Sequence, residues 1–418
     1  GLGISAYTFA AEEEMSADEQ RRTERHVEIG VGNQSEDSPW FGRYTGLTEK
    51  GSFVTGDIDI DYRTETGSHT QFVGRRLGLK SQSLLLEQGQ QGKYKLELRH
   101  DEIPYFQYEN AVTPYRLTGD ELLTLPGGVA DPASYQALDL FTQRESNRAA
   151  LSLIPAQHWK TSIAYRQEKR EGTLMTGGGL GYSTRNMALS MLPRPVDYST
   201  DLIDATLSYA KDKGHLELAY HLSTFRNDNQ SLSWENPFAE LSGNSGQYGQ
   251  LALEPDNDFQ QFRLSGGYQL PRNNYLTAVL SSGLMTQDQD FLPYTTNESI
   301  DGNTLPGDSL DGEIRQNIAQ IKLNSRPLRD WQFNASYRYH DHDNNTPQAT
   351  YTYPVADSLP PGKTGKNEED LTAINQPLSY TRNTTRLDGR YRFNRALSLQ
   401  LGYDLEDTRR ENSEVDET

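Results

Sequence analysis

Five short polar turns joining long alternating runs recur along this chain, and this repeat most constrains its fold. The turns begin at residues 155, 211, 271, 326 and 394, so successive turns lie 56, 60, 55 and 68 residues apart. Each interval holds one hairpin and one long loop. Because consecutive strands joined by tight turns pair side by side, the repeat predicts an antiparallel sheet. Counting the alternating runs along the chain gives roughly 14 or 15 strands.

The runs beside the turns alternate between apolar and polar residues, which is the pattern of a strand with two unlike faces. One run places Leu399, Leu401 and Tyr403 on one face and Gln400 and Gly402 on the other. Aromatic residues lie near the short turns and again further along the strands. Two aromatic bands flanking an aliphatic zone are typical of transmembrane β-barrels. The alternative is a water-soluble antiparallel sheet whose apolar face packs inside a sandwich.

Composition narrows the class of protein. Only 34% of residues are hydrophobic and the mean hydropathy is −0.79, yet aromatics make up 10% and include 24 Tyr. The sequence contains no apolar run of about 18 residues, which a transmembrane helix needs. With 40 Lys and Arg against 59 Asp and Glu, the net charge of −19 argues against a nucleic-acid partner. No cysteine is present, so the chain cannot form disulfides, thiolate metal sites or covalent c-type haem attachments. We therefore predict an all-β fold, a large antiparallel transmembrane β-barrel of the outer membrane.

The connections are asymmetric. Long loops rich in Gly, Asn, Asp, Pro and Ser are expected at 102–140, 172–199, 228–257, 290–311 and 344–377. Outer-membrane barrels have short periplasmic turns and long extracellular loops, so these loops are expected to face outside.

The polar strand face is the expected lumen lining. We take its cations as candidate partner contacts, namely Lys160, Arg166, Arg170, Arg338, Arg390 and Arg392. The lining is expected to be mixed in sign, which suits water or a docked protein surface and differs from the single-sign ring of an ion-selective pore.

Two segments are predicted. Residues 1–24 form an N-terminal segment, and 25–418 form the barrel, truncated at its C-terminus. The apolar start at 1–11 is either the tail of a secretory signal peptide or an ordinary disordered terminus. The last strand is expected near 396–411, before an acidic end. Because a barrel must pair its edge strands, we expect further hairpins beyond it, the alternative being a small closed barrel with an acidic tail.

Few motifs suggest chemistry. His340 and His342 share a strand face and have the spacing of a divalent-metal pair, although a strand end entering a polar loop explains them as well. The glycine run at 177–181 lacks the following Lys-Ser/Thr of a phosphate loop. Acidic residues at 301–311 offer oxygen ligands for Ca²⁺ but lack EF-hand spacing. No G-x-S-x-G elbow is present, and we expect no catalytic, cofactor-binding or metal-binding residues.

The most specific stretch is 26–62, HVEIGVGNQSEDSPWFGRYTGLTEKGSFVTGDIDIDY. It resembles the N-terminal strand region of the MtrB/PioB family of decahaem-associated outer-membrane proteins, which show a similar GVG…SxDSxxFGxYxGL…KG pattern. A later hairpin echoes the family in Leu401-Gly402-Tyr403-Asp404 with Arg409. Family barrels are much longer than this chain. Some carry a CxxC near the N-terminus, which this chain lacks.

The resemblance implies a function. Family barrels sheathe a periplasmic multihaem (decahaem) cytochrome c, which threads the lumen and carries electrons across the outer membrane, often to an extracellular multihaem cytochrome. Haem c is then carried by the partner. Extracellular electron transfer of this kind serves metal reduction or iron oxidation. We therefore expect a non-enzymatic sheath embedded in the lipid bilayer. The alternative is a porin-like or substrate-uptake channel.

Overall fold

The computed structural model of the chain describes residues 22–119, 121–129, 131–183, 186–237, 248–297, 304–354 and 371–412. Almost all secondary structure in these residues is strand. The strands are β1 (Arg22–Gln34), β2 (Gly51–Arg63), β3 (Ser68–Leu77), β4 (Ser83–Gln90), β5 (Tyr94–Thr113), β6 (Arg116–Thr118), β7 (Leu122–Thr124), β8 (Gln136–Ala156), β9 (Trp159–Ser183), β10 (Asn186–Lys211), β11 (Gly214–Asn227), β12 (Ser231–Glu235), β13 (Tyr248–Ala252), β14 (Asn257–Leu270), β15 (Asn274–Gln287), β16 (Gly312–Ser325), β17 (Trp331–Asn344), β18 (Thr350–Tyr353), β19 (Leu371–Ile374), β20 (Ser379–Arg392) and β21 (Ser398–Glu411). A short helix, α1 (Pro39–Gly42), and a 3₁₀ turn at Pro132–Ser134 complete the described elements. Among these residues, no helix is both long and apolar enough to cross a membrane.

Fifteen strands form one antiparallel sheet in the order β1-β2-β3-β4-β5-β8-β9-β10-β11-β14-β15-β16-β17-β20-β21. Each strand of this sheet pairs with the next strand along the chain once the short loop strands are left out, as the hairpin repeat predicts. All five predicted short turns connect hairpins, and two more follow β2 and β4. The tight turns use left-handed backbone, for example at Asp212 with φ 41°, as two-residue hairpin turns require.

The sheet is open in the described part of the chain, because β1 pairs only with β2 and β21 only with β20. An open wall of fifteen strands is consistent with part of a larger barrel. The predictions for residues 1–11 and for the acidic end lie almost wholly outside the described residues.

The two faces of the sheet are chemically distinct. The register aligns apolar positions across successive strands, as in Leu280 opposite Leu264 and Leu387 opposite Tyr403. These side chains are exposed rather than packed, and Leu401 keeps 68% of its surface accessible. No second sheet covers this face among the described residues. A sandwich would bury it, so the soluble alternative does not fit this structure.

The long connections lie on one side, as predicted, but four of them contain strands. The predicted loop at 172–199 is instead the outer part of β9 and β10, which continue as a paired hairpin. The predicted loop at 102–140 also contains the end of β5 and the short strands β6 and β7. Their Gly and Pro residues suggested loops, but the segments at 172–183 and 186–197 pair with each other as strands.

The loops at 228–257 and 344–377 likewise contain strands. β12 and β13 join β7 and β6 in a four-stranded sheet of order β13-β12-β7-β6, here named the mouth sheet. β18 and β19 form a separate two-stranded hairpin. Residues 173–183 of β9 and 186–197 of β10, which pair with neither β8 nor β11, are named the hairpin extension.

The family-like stretch at 26–62 forms β1, β2 and the connection between them. The backbone N–H of Phe106 donates to the carbonyl of Arg43 at 3.1 Å. Phe106 lies on the part of β5 beyond the end of β4, where the strand edge would otherwise be open. The Arg43 guanidinium also stacks 4.5 Å from the Trp40 ring centroid and 5.1 Å from that of Tyr105. The motif therefore covers a strand edge, a role in folding rather than in chemistry.

Candidate partner-binding face

The six cations predicted to line the lumen all lie on the polar face of the sheet. Three of them lie on β9 and share one face of the strand, opposite to the face of Ile163 and Tyr165. They are Lys160, Arg166 and Arg170. Arg338 lies on β17, and Arg390 and Arg392 lie on β20. The first three thus share one face of β9, whereas the other three lie on distant strands. Their role as partner contacts stays a prediction.

The β9 cations belong to a larger basic group. The register sets Arg144 of β8 directly opposite Arg170, and Arg148 directly opposite Arg166. With Lys160 these residues form the basic stripe: Arg144, Arg148, Lys160, Arg166 and Arg170. Like charges directly opposite each other on one face are destabilising, so the sheet holds an arrangement that its own pairing disfavours.

Neighbouring carboxylates neutralise only part of the basic stripe. Arg148 Nε lies 3.3 Å from Glu97 Oε1, and Arg144 Nη1 lies 3.7 Å from Glu168 Oε1. Arg170 donates to the hydroxyl of Thr142 at 3.4 Å. Arg166 and Lys160 form no salt bridge with any described residue. Both are exposed on the polar face.

An acidic group lies on the same face at the β1 edge of the wall. In β1 and β2, Glu28 is directly opposite Asp57, and Glu24 is directly opposite Asp61. With Asp59 they form the acidic stripe: Glu24, Glu28, Asp57, Asp59 and Asp61. Arginines partly offset it, since Arg75 Nη2 lies 2.9 Å from Asp59 Oδ2 and Arg63 Nη2 lies 2.8 Å from Asp61 Oδ2.

The polar face as a whole carries both signs, and like charges are grouped on neighbouring strands. Cations predominate on the polar face of β8 and β9, where Glu168 lies between Arg166 and Arg170, and carboxylates predominate on β1 and β2. β5 between them alternates Lys95, Glu97, Arg99 and Asp101. Sequence reasoning did not single out Arg144, Arg148 or the acidic residues, because it chose its candidate contacts only from the later strands. The signal was present, since Ala149, Leu151 and Leu153 alternate with polar residues.

The mouth sheet lies above this face. Leu180 and Leu192 of the hairpin extension share strand parity with Arg166 and Arg170, and they are buried against Leu232 and Trp234. The mouth sheet therefore packs on the polar side of the wall, over the lumen rather than outside it. Its core comprises Tyr115, Leu123, Leu180, Leu192, Leu232, Trp234 and Leu253.

Two glycines leave room for the Trp234 ring. A Cβ at Gly249 would lie 2.4 Å from Trp234 Cζ2, and one at Gly178 would lie 2.8 Å from the same atom. The glycine run at 177–181 is therefore strand, and one of its members gives room to an indole. This agrees with the exclusion of a phosphate loop.

One carboxylate joins two segments of the mouth sheet, and another attaches the mouth sheet to β10. Glu121 accepts hydrogen bonds from the backbone N–H groups of Gln230 at 2.6 Å and Ser231 at 3.0 Å. Glu254 accepts from Arg194 Nη1 at 2.7 Å and from the Tyr198 hydroxyl at 2.8 Å. Partial burial works to raise the pKa of Glu254, but the hydrogen bonds from Tyr198 and Arg194 outweigh it and lower the pKa below its usual value.

The histidine pair packs against an aromatic ring. His342 stacks on Tyr380 with ring centroids 5.2 Å apart and planes at 13°, while His340 meets the same ring edge-on at 84°. No group of three or more His, Cys, Asp or Glu in the described residues has the geometry of a metal site. Part of the proposed calcium loop, at 301–303, lies outside those residues.

An antiparallel wall with an exposed apolar face, a polar inner face and long loops on one side defines an outer-membrane β-barrel protein. Comparisons with known proteins agree. Residues 33–418 match the family described as putative outer membrane beta-barrel porin, MtrB/PioB. The chain belongs to this family, which confirms the resemblance, the fold class and the outer-membrane location.

Relatives place the chain more closely. It is 28% identical over 391 residues to Outer membrane protein MtrB of Shewanella baltica (strain OS185), covering 91% of this chain and 53% of that protein. The chain therefore spans about half the length of that relative. Among solved structures, OmpT of Vibrio cholerae is matched with a TM-score of 0.30 at 8% identity, covering 91% of this chain and 98% of that one. The copper transporter OprC is matched with a TM-score of 0.42 at 9% identity, covering 92% and 57%.

Proposed function

We propose that this chain forms part of an outer-membrane barrel that encloses a multihaem cytochrome c and so permits electron transfer across the membrane. The barrel supplies a low-dielectric wall and holds the cytochrome in place. The redox centres belong to the partner, because the chain has no cysteine to which haem c could be attached. An extracellular multihaem cytochrome is a further expected partner.

The grouping of like charges on the polar face is the observation that supports this proposal most. Arg144 opposite Arg170 and Arg148 opposite Arg166 repel each other, and so do Glu28 opposite Asp57 and Glu24 opposite Asp61. Departures from favourable pairing tend to occur at functional sites. A protein surface carrying acidic groups against the basic stripe and basic groups against the acidic stripe would remove both repulsions. Such complementarity also fixes the orientation of a docked partner.

The proposal is tested with the full-length protein in its native host. The barrel purified in mild detergent is expected to carry the absorbance of a multihaem cytochrome c. Arg166→Glu reverses one charge of the basic stripe, at an exposed residue without a salt bridge in the described chain. We expect it to lower the amount of co-purifying haem about tenfold, the change that 1.4 kcal/mol produces.

A matched control lies three residues along the same strand. Lys169 has the opposite parity and is exposed on the outer face of β9. Lys169→Glu changes the net charge equally and is expected to leave haem content unchanged. Equal losses from both variants would contradict a specific contact. A haem-free barrel that conducts ions in planar bilayers would favour the porin-like alternative.

A further inference from the structure

A groove interrupts the apolar face at its short-turn end. It crosses β11, β14 and β15, has a volume of about 650 Å³, and is lined by Leu216, Leu264, Tyr268 and Leu280 among others. Its floor lies at Gly266 and Ala278, which the register places directly opposite each other. Two small residues at positions where the neighbouring strands carry leucine and tyrosine leave a notch in the lipid-facing surface. The volume lies within the range of about 300–1,000 Å³ that is usual for ligand sites.

Two lysines border the same end of the groove. Lys211 ends β10, Lys213 lies in the tight turn before β11, and both line the groove. Both side chains are exposed, and neither forms a salt bridge with a described residue. Only Asp212 between them carries opposite charge in this turn. Short turns of outer-membrane barrels face the periplasm, so the two ammonium groups lie at the level of the inner-leaflet headgroups.

A second groove on the same face provides a comparison. It crosses β17, β20 and β21, has a similar volume of about 670 Å³, and contains Ala335 and Gly389 between aromatic walls. No lysine lines it within the described chain, and the arginine among its lining residues, Arg390, belongs to the polar face of β20. The two grooves thus share an apolar floor and differ in the paired lysines at the short-turn end.

We propose that the groove at Gly266 and Ala278 is a binding site for an anionic glycerophospholipid of the inner leaflet. One acyl chain lies along the groove, because the groove faces the hydrocarbon of the bilayer and its lining is mainly apolar. The phosphate group accepts hydrogen bonds from the ammonium groups of Lys211 and Lys213. Lysines beside a membrane surface attract anionic headgroups by this mechanism. The proposal depends on the barrel fold alone and is independent of any cytochrome partner.

The experiment measures which lipids stay bound to the protein. The protein is purified from outer membranes in mild detergent, exchanged against phosphatidylglycerol or phosphatidylcholine, and examined by native mass spectrometry. We expect phosphatidylglycerol to be retained preferentially, by about fivefold for each lysine involved. Lys211→Gln with Lys213→Gln is expected to abolish the preference, whereas Lys211→Arg with Lys213→Arg keeps it.

A second pair of variants tests the groove itself. Ala278→Leu fills its floor and is expected to reduce retention of phosphatidylglycerol, while Ala335→Leu in the comparison groove leaves the preference intact. Heat-modifiable gel mobility checks that each variant is folded. Equal retention of the two lipids by the unaltered protein would overturn the proposal. So would a preference that survives the double glutamine variant, or one that Ala335→Leu reduces as much as Ala278→Leu.

Discussion

The membrane-spanning wall and the mouth sheet use apolar residues in opposite ways. In the wall, leucines such as Leu399 and Leu401 are exposed, and the wall consists of a single sheet. In the mouth sheet and hairpin extension, Leu123, Leu192 and Leu232 are fully buried. The described apolar core of the molecule thus lies outside the membrane. The wall is stabilised by lipid contact and backbone pairing, and the mouth by burial away from water.

The largest expected effect separates the two regions through Trp234, which is 2% exposed. Trp234→Ala should destabilise the mouth sheet by about 3–5 kcal/mol, the usual cost of removing a large buried aromatic ring. Hydrogen exchange of β12 and β13 should accelerate, while the heat-modifiable mobility of the barrel stays unchanged. Trp234→Phe is the control and should have a smaller effect. Loss of membrane assembly in Trp234→Ala would show that the regions fold as one unit.

A change in the wall should do the reverse. Leu401→Arg places a charge on the lipid face, which costs about 2–4 kcal/mol at the bilayer midplane. We expect little folded protein in the outer membrane, measured by heat-modifiable gel mobility. Gln400→Arg, one residue away on the polar face, should assemble normally. Equal tolerance at these two positions would contradict the assigned faces.

The smallest expected effect concerns pH and the attachment of the mouth to the wall. Because the pKa of Glu254 is lowered in the folded state, its contribution to stability is full above the ordinary glutamate pKa. It is lost as pH falls through the lowered folded value. Hydrogen exchange near Leu253 should therefore accelerate in acid. Glu254→Gln should weaken this acid dependence, and an identical acid response in the variant would show that other carboxylates control it.

The wall could be read from the sequence to a large extent. Period-2 alternation at 331–340 and 397–405 placed strands, faces and turns correctly, because one side of each strand must be apolar in lipid. The six candidate cations were likewise assigned to one face from parity alone. The mouth sheet and the hairpin extension were not predicted. In the hairpin extension, for example, Gly177 to Gly181 and the prolines of β10 have the composition of a loop.

Sequence by itself determined the local order of this protein: the hairpin repeat, the two faces of each strand and the family-like segment at 26–62. Tertiary structure alone decided which strands carry their charges side by side. Cross-strand register sets Arg148 opposite Arg166, and no spacing along one strand reveals that. It also decided that loop strands more than a hundred residues apart, such as β7 and β12, share a core. Alternation is a property of neighbouring residues, whereas register and packing depend on distant segments that meet only when the sheet forms.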